Sequence, residues 1–201
     1  MTVIVLRLGH RVPRDVRLTT HVGLIARALG ADGIVLAGDL DRSVLETWRG
    51  VVERWGGPFS FEYVENWRRY AEGKKTEGWE IVHLTMYGLP IDEVIEEIRR
   101  SANPKLVLVG SEKMPGQAFK LADWNVAVSS QPHSECGSLA VFLDRLFAGR
   151  ELSKEFQGGS LRVVPRRAGK KVVRREGTTF GKPNVGDTLK SHSHRFCGRE
   201  S

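Results

Sequence analysis

The chain has 201 residues, 40% of them hydrophobic and 27% charged, a balance that suits a soluble domain with a sizeable core, or one domain with a small appendage. No run approaches about 18 uncharged apolar residues, which argues against a membrane-spanning helix, and the apolar opening of MTVIVLRLGHRVPRD has its charges after it, which argues against a secretory signal. The net charge of +7 is concentrated: seven Lys or Arg against Glu176 leave +6 over 160–177, while residues 1–159 sum to −1, so a nearly neutral body carries a basic end suited to a polyanion.

TVIVLRL (2–8) reads as a first strand, RLTTHVGLIARALG (17–30) as a helix stopped by Gly30, and DGIVLAG (32–38) as a second strand. DRSVLETWRGVVERWG (41–56) is a helix ending at Gly56, FSFEYV (59–64) a short strand, and EIVHLTMYG (80–88) a strand running into a loop. IDEVIEEIRR (91–100) has Ile91, Val94, Ile95 and Ile98 at helical spacing. KLVLVG (105–110) and NVAVSS (125–130) are apolar strands, and SLAVFLDRLF (138–147) places Leu139, Phe142, Leu143 and Leu146 on one helix face. Strands with no wet face, each followed by a helix, imply an α/β fold with a mostly parallel sheet covered on both faces. GGSLRVVPRRAGKKVVRREG (158–177) reads as a basic hairpin and 178–201 as a mobile tail. The expected division is therefore 1–150 as the main domain, 151–177 as a basic extension and 178–201 as a tail.

The chain lacks G-x-G-x-x-G after a strand and lacks G-x-x-x-x-G-K-[ST], which disfavours dinucleotide and nucleoside-triphosphate binding. The histidines show no metal-ligand spacing, so no metal is expected. Cys136 and Cys197 are far apart, which fits a reducing cytoplasm and no disulfide framework. Three strand ends carry small polar or turn-forming residues instead: HLTMYG, VGSEKMPG and VSSQPHSE. Such loops expose peptide N–H and C=O groups, and Ser134 is placed to cap the helix that follows. In a parallel sheet, ligands sit beyond the C-terminal strand ends, so a shared pocket is expected there. Arg7, Arg11, Arg14, Arg17 and Arg27 crowd the first 27 residues, and Arg27 interrupts an apolar helix segment. An arginine so placed is either a solvated face residue or aimed at a phosphate or carboxylate.

RLGHR, HLTMYG, GSEK, NVAV and QPHSE occur in this order and setting. Together they resemble the SPOUT class of RNA methyltransferases, trefoil-knotted α/β enzymes that use S-adenosylmethionine, over roughly residues 3–175. The nearest likeness is to the archaeal tRNA (cytidine-56) 2′-O-methyltransferase family. The resemblance implies a first motif with His21 in the place of an Asn and with Arg27 as its Arg. It implies a second motif at Gly110, Ser111 and Glu112, and a third at Ser138 and Leu139, where Ala140 replaces an Asn. By the same resemblance, S-adenosylmethionine is held by Leu84, by Gly110, Ser111, Glu112, Lys113 and Met114, and by Val128, Ser129, Ser130, Gln131, Pro132, His133, Ser134 and Glu135.

The activity implied is methylation of the ribose 2′-oxygen of cytidine 56 in the tRNA T-loop by a cytoplasmic homodimer. Arg27 and His21 are its expected catalytic residues. Arg27 is the expected phosphate clamp and oxyanion stabiliser, and His21 is one possible proton acceptor beside water or a phosphate oxygen. Arg11, Arg14, Arg162, Arg166, Arg167, Lys170, Lys171, Arg174 and Arg175 are the expected tRNA contacts. The alternatives are a SPOUT methyltransferase acting at another tRNA or rRNA site, and a non-catalytic RNA-binding protein on the same fold.

Overall fold

The computed structural model describes residues 1–110 and 114–175. Its elements in chain order are β1 (Val3–His10), α1 (Val16–Ala28), β2 (Gly33–Gly38), α2 (Arg42–Trp55), β3 (Ser60–Val64), α3 (Trp67–Thr76), β4 (Glu80–Pro90), α4 (Ile91–Arg100), β5 (Lys105–Val109), α5 (Gly116–Leu121), β6 (Trp124–Ala127) and α6 (Glu135–Phe147). A hairpin of β7 (Leu161–Val163) and β8 (Val172–Arg174) follows. The tail expected at 178–201 and the last two residues of the basic extension lie outside the described residues.

The first six strands form one sheet in the order β3-β2-β1-β5-β4-β6, with every neighbouring pair parallel. Successive side chains of a strand point to opposite faces, and the core divides accordingly. Val3, Val5, Ile34, Leu36, Val107 and Val109 pack with α1, α2, α4 and α6. Leu6, Leu8, Val35, Ala37, Leu106 and Leu108 face α3 and α5. Connections running toward the β3 edge carry α1, α2 and α4 on the first face. Those running toward the β6 edge carry α3 and α5 on the other, as a single crossover hand requires.

Helix α4 shows the pattern at its clearest: Ile91, Val94, Ile95 and Ile98 are all buried, each contributing about 1.5–3 kcal/mol. Helices α1 and α2 cross where Gly23 meets Trp48. A Cβ at Gly23 would stand 2.2 Å from the indole, whose Nε1 donates to the Thr20 carbonyl at 3.1 Å. Helices α3 and α5 are not among the elements expected from the sequence. WRRYAEGKKT buries only Ala71 and so shows no apolar stripe, and its start is set by Asn66, which accepts from the Arg69 N–H at 3.0 Å. GQAFKL is too short to show helical periodicity.

At the N-terminal rim of the sheet, Lys105 is fully buried and its Nζ lies 2.9 Å from Glu80 Oε2. Burial raises the Glu80 carboxyl, but its bonds to Ser101, Lys105 and Asn103 outweigh that and hold it below the ordinary 4.5. A carboxyl so depressed stabilises the fold fully above the unfolded value, and the benefit is lost as pH falls through the folded value. Melting temperature is therefore expected to drop on acidification below about pH 4.5. In Glu80→Gln that slope should flatten, at a cost near neutral pH of about 3 kcal/mol from the unpaired Lys105. Thermal melts across pH check both.

The basic extension is fastened to the end of α2. Gly57 and Gln157 exchange backbone hydrogen bonds at 2.8 and 3.0 Å, Ser160 N–H donates to the Glu53 carbonyl at 3.2 Å, and Arg175 N–H donates to the Ser160 carbonyl at 3.0 Å.

Candidate active site

Three chain segments rise from adjacent strand ends at one rim. The first leaves β4. Leu84 and Leu89 are both in register with Val126 of β6, so Thr85–Gly88 is extruded as a bulge. Tyr87 N–H donates to Thr85 Oγ1 at 3.3 Å inside the bulge. Gly88 closes it against β6, where a Cβ would lie 2.4 Å from the Asn125 carbonyl. The second segment follows β5 at Gly110, where a Cβ would lie 1.5 Å from Met114 Sδ. The third leaves β6 at Ala127, shorter than the strand expected to 130. It runs to Ser134, whose hydroxyl accepts from the Cys136 N–H at 3.2 Å and starts α6 at Glu135.

Between them lies a cavity of about 520 Å³, within the range of small-ligand sites. Leu84, Thr85, Met86 and Tyr87 form one wall; Gly110, Met114 and Phe119 form another; Pro132, His133, Glu135 and Ser138 form the third. Beneath it, His83 is fully buried, its Nδ1 2.8 Å from Asn125 Oδ1 and its ring edge-on to Phe119 at 4.6 Å. Burial pushes the His83 imidazole below its usual value, against the opposing bond to Asn125. A neutral ring therefore braces Phe119 from below.

Behind Glu135 runs a buried polar chain. Arg7 Nη1 lies 3.9 Å from Glu135 Oε1 and Arg7 Nε 3.4 Å from Thr19 Oγ1. Thr19 Oγ1 is 2.9 Å from His10 Nδ1, and His10 Nε2 is 3.3 Å from Asp41 Oδ2. Asp41 in turn caps α2 by accepting from the N–H groups of Ser43 and Val44.

Of the residues expected to hold a cofactor, Leu84, Gly110, Met114, Pro132, His133 and Glu135 stand on the cavity wall. Val128, Ser129, Ser130, Gln131 and Ser134 belong to the same connection but not to the wall, and Ser111, Glu112 and Lys113 lie outside the described residues. Thr85, Met86, Tyr87, Phe119 and Ser138 line the cavity without being expected there as ligand contacts. The break in HLTMYG is the signal for the first three; Phe119 sits on a helix that the sequence does not reveal.

The two residues expected to be catalytic are placed elsewhere in the chain. His21 is exposed on α1. Arg27 is buried near the far end of α1, where Nε and Nη2 donate to the Gly56 carbonyl at 3.1 and 2.6 Å and the guanidinium stacks 4.1 Å from the Phe156 ring. It joins α1, the end of α2 and the C-terminal extension, and is not among the residues that line the cavity. The basic residues also separate. Arg162, Arg166, Arg167, Lys170, Lys171 and Arg174 are exposed on or near the hairpin, whereas Arg175 is half-buried with Nη1 3.4 Å from the Phe156 carbonyl. Arg11 and Arg14 are exposed in the turn after β1, at the same end of the sheet as the cavity, and Arg11 Nε donates to Asp15 at 2.9 Å. Among the described residues no group of His, Cys, Asp and Glu is arranged to hold a metal ion.

Residues 55–173 match the family model described as tRNA ribose 2′-O-methyltransferase, aTrm56. The tRNA (cytidine(56)-2′-O)-methyltransferase of Methanopyrus kandleri is 57% identical over 171 residues, covering 85% of this chain and 96% of that protein. The enzyme of the same name from Hyperthermus butylicus is 52% identical over 174 residues, covering 87% and 93%. The fold is shared with solved structures at lower identity. A crystal structure of an RNA 2′-O ribose methyltransferase matches with TM-score 0.57 and 19% identity, over 74% of this chain and 57% of that one. The TrmH/SpoU tRNA modifying enzyme of A. aeolicus matches with TM-score 0.54 and 14% identity, over 74% and 75%. The SpoU methyltransferase AviRb of Streptomyces viridochromogenes, solved in complex with AdoMet, matches with TM-score 0.51 and 15% identity, over 75% and 58%. The chain thus spans somewhat more than half the length of the first and third of these.

Proposed function

The chain belongs to the tRNA (cytidine-56) 2′-O-methyltransferase family, and on that premise we propose that the cavity at the strand ends holds S-adenosylmethionine beside the ribose of its tRNA target. The enzyme methylates the 2′-oxygen of cytidine 56 of tRNA. The single observation that carries the cofactor assignment is the convergence of three rim segments on one cavity of about 520 Å³.

The residues present fit that molecule. Leu84, Met86, Met114 and Phe119 offer apolar surface to an adenosine, and the absence of a side chain at Gly110 lets Met114 pack against the end of β5. Thr85 and Ser138 add hydroxyls, and Glu135 adds a carboxylate suited to a cationic group. When bound, S-adenosylmethionine supplies an activated methyl group on a sulfonium. The chain's own task is alignment and exclusion of water. Alignment of the reacting atoms contributes up to about 7–11 kcal/mol when it is ideal. The Thr85–Gly88 bulge, locked against β6, and the capped first turn of α6 are the walls that provide it.

The trefoil knot, the homodimer and the cytoplasmic location belong to the same proposal. The knot is supported by the route of the chain, which pairs β6 with β4 and then returns across the rim through 128–134 into α6. Exposed Tyr87, Leu89 and Val141 near the rim provide apolar surface for a second copy. The location is supported by the tRNA substrate that the relatives' name prints.

The test is incubation with labelled S-adenosylmethionine and an unmodified tRNA transcript, followed by mapping of alkali-resistant 2′-O-methyl dinucleotides. Label at cytidine 56, abolished by 2′-deoxycytidine there, is expected; label on a base would overturn the ribose assignment. The exposed hairpin cations are proposed to hold tRNA phosphates. Replacing Arg166, Arg167, Lys170 and Lys171 by Gln should weaken tRNA binding. It should also flatten the dependence of log Kd on log salt by roughly 0.7–0.9 for each phosphate no longer neutralised. An unchanged slope in filter binding would remove the hairpin from the RNA interface.

A further inference from the structure

Arg7 interrupts an apolar strand face. Val3 and Val5 precede it on the same side of β1, and all three are fully buried. A guanidinium has five N–H groups and stays charged, so a buried one needs acceptors and a counter-charge. Here they are incomplete. Nη1 donates to the Leu8 carbonyl at 2.8 Å and Nε reaches Thr19, but Nη2 is buried with no acceptor among the described residues. Among the described residues Glu135 is the carboxylate in ion-pair range, and at 3.9 Å it is too far for a hydrogen bond. Burial lowers the proton affinity of Arg7, and Glu135 is the foremost group opposing that effect.

We propose that Arg7 is a positioning residue for the cofactor pocket: it draws Glu135 into a two-armed ion pair when the pocket is filled, and so fixes the first turn of α6 against bound S-adenosylmethionine. This rests on the assignment of the cavity to that cofactor. The orphaned Nη2 and the long Nη1–Oε1 gap mark the two arms of a fork-to-carboxylate pair. Of the two partners, only Glu135 is free to travel. Its side chain is 24% exposed on the cavity wall, whereas that of Arg7 is 0% exposed and tied through Thr19 and His10 to the cap of α2. The guanidinium is a fixed post and the carboxylate comes to it.

The test measures the Kd of S-adenosylhomocysteine, the demethylated cofactor, by calorimetry, with ligand-free melting temperatures alongside. Arg7→Lys and Glu135→Gln should each weaken binding about tenfold, and the double variant should bind no worse than the weaker single one, since residues acting as a pair are not additive. Thr19→Val, which removes the hydroxyl between Arg7 and His10 and is not on the cavity wall, should weaken binding several-fold. It decides the matter alone if Arg7→Lys does not fold. Melting temperatures that fall while Kd stays at the wild-type value in Arg7→Lys and Thr19→Val would overturn the proposal, as would multiplicative losses in the double variant. Wild-type protein that fails to bind S-adenosylhomocysteine would sink the cavity assignment, and this proposal with it. Wild-type binding without the variant pattern removes this proposal alone.

Discussion

Gly88→Ala is expected to weaken S-adenosylhomocysteine binding about 100-fold or more and to lower stability by about 1–3 kcal/mol. The reason is that the added Cβ would meet backbone and not a yielding side chain. It would stand 2.4 Å from the Asn125 carbonyl carbon and oxygen and 2.6 Å from the Val126 nitrogen. Strand β6 cannot retreat, because Leu84 and Pro90 pair with it on either side of the bulge. The bulge must therefore move, and with it Thr85, Met86 and Tyr87, which form one wall of the cavity. A loss of about 2.8 kcal/mol in binding is already 100-fold. Gly137→Ala is the matched control. It lies in the first turns of α6, beside Ser138 of the wall, but its Cβ would enter open space, so ligand binding should stay at the wild-type value. Helix propensity should even raise its melting temperature slightly. Calorimetry and thermal melts on the two variants separate a displaced wall from a general intolerance of substitution.

Arg27→Ala is expected to lower stability by about 2–4 kcal/mol while turnover per folded molecule stays within a few-fold of wild type. Two donations to the Gly56 carbonyl and the stack on Phe156 disappear together, and a buried carbonyl at the end of α2 is left without its partner. Burial lowers the proton affinity of Arg27, with no opposing carboxylate among the described residues. These contacts support a structural role for Arg27, which the expected result tests against the catalytic one. The check is single-turnover methylation well below the melting temperature of the variant. A loss of 10²–10³ in rate with an unchanged melting temperature would restore the chemical role that the first-motif resemblance suggests.

The contrast between these two positions shows where sequence reading reaches. Gly88 is visible as a break in HLTMYG, but nothing in the string says that its hydrogen faces the backbone of a strand 37 residues later. Arg27 is visible as a charge in an apolar helix, and the family resemblance implies a catalytic role for it. Its acceptor is a carbonyl 29 residues away and its stacking partner lies in the C-terminal extension, contacts that only the packing of α1 against those segments reveals. Arg175 is similar: one of a run of cations by composition, it is turned toward Phe156 by the hairpin's seating.

The sequence by itself determined the layered α/β character, where along the chain the apolar strands fall, and the family. Continuous Val, Ile and Leu runs can only be satisfied by burial on both faces, and that requirement is local enough to read residue by residue. It also marked the three strand ends that form the cavity. Only the tertiary structure decided that β4, β5 and β6 bring those ends side by side, that α3 and α5 cover the second face, and that Arg7 stands behind Glu135. Strand order and buried polar pairing depend on contacts between residues far apart in the chain, and a pattern that repeats every two or four residues carries no information about them.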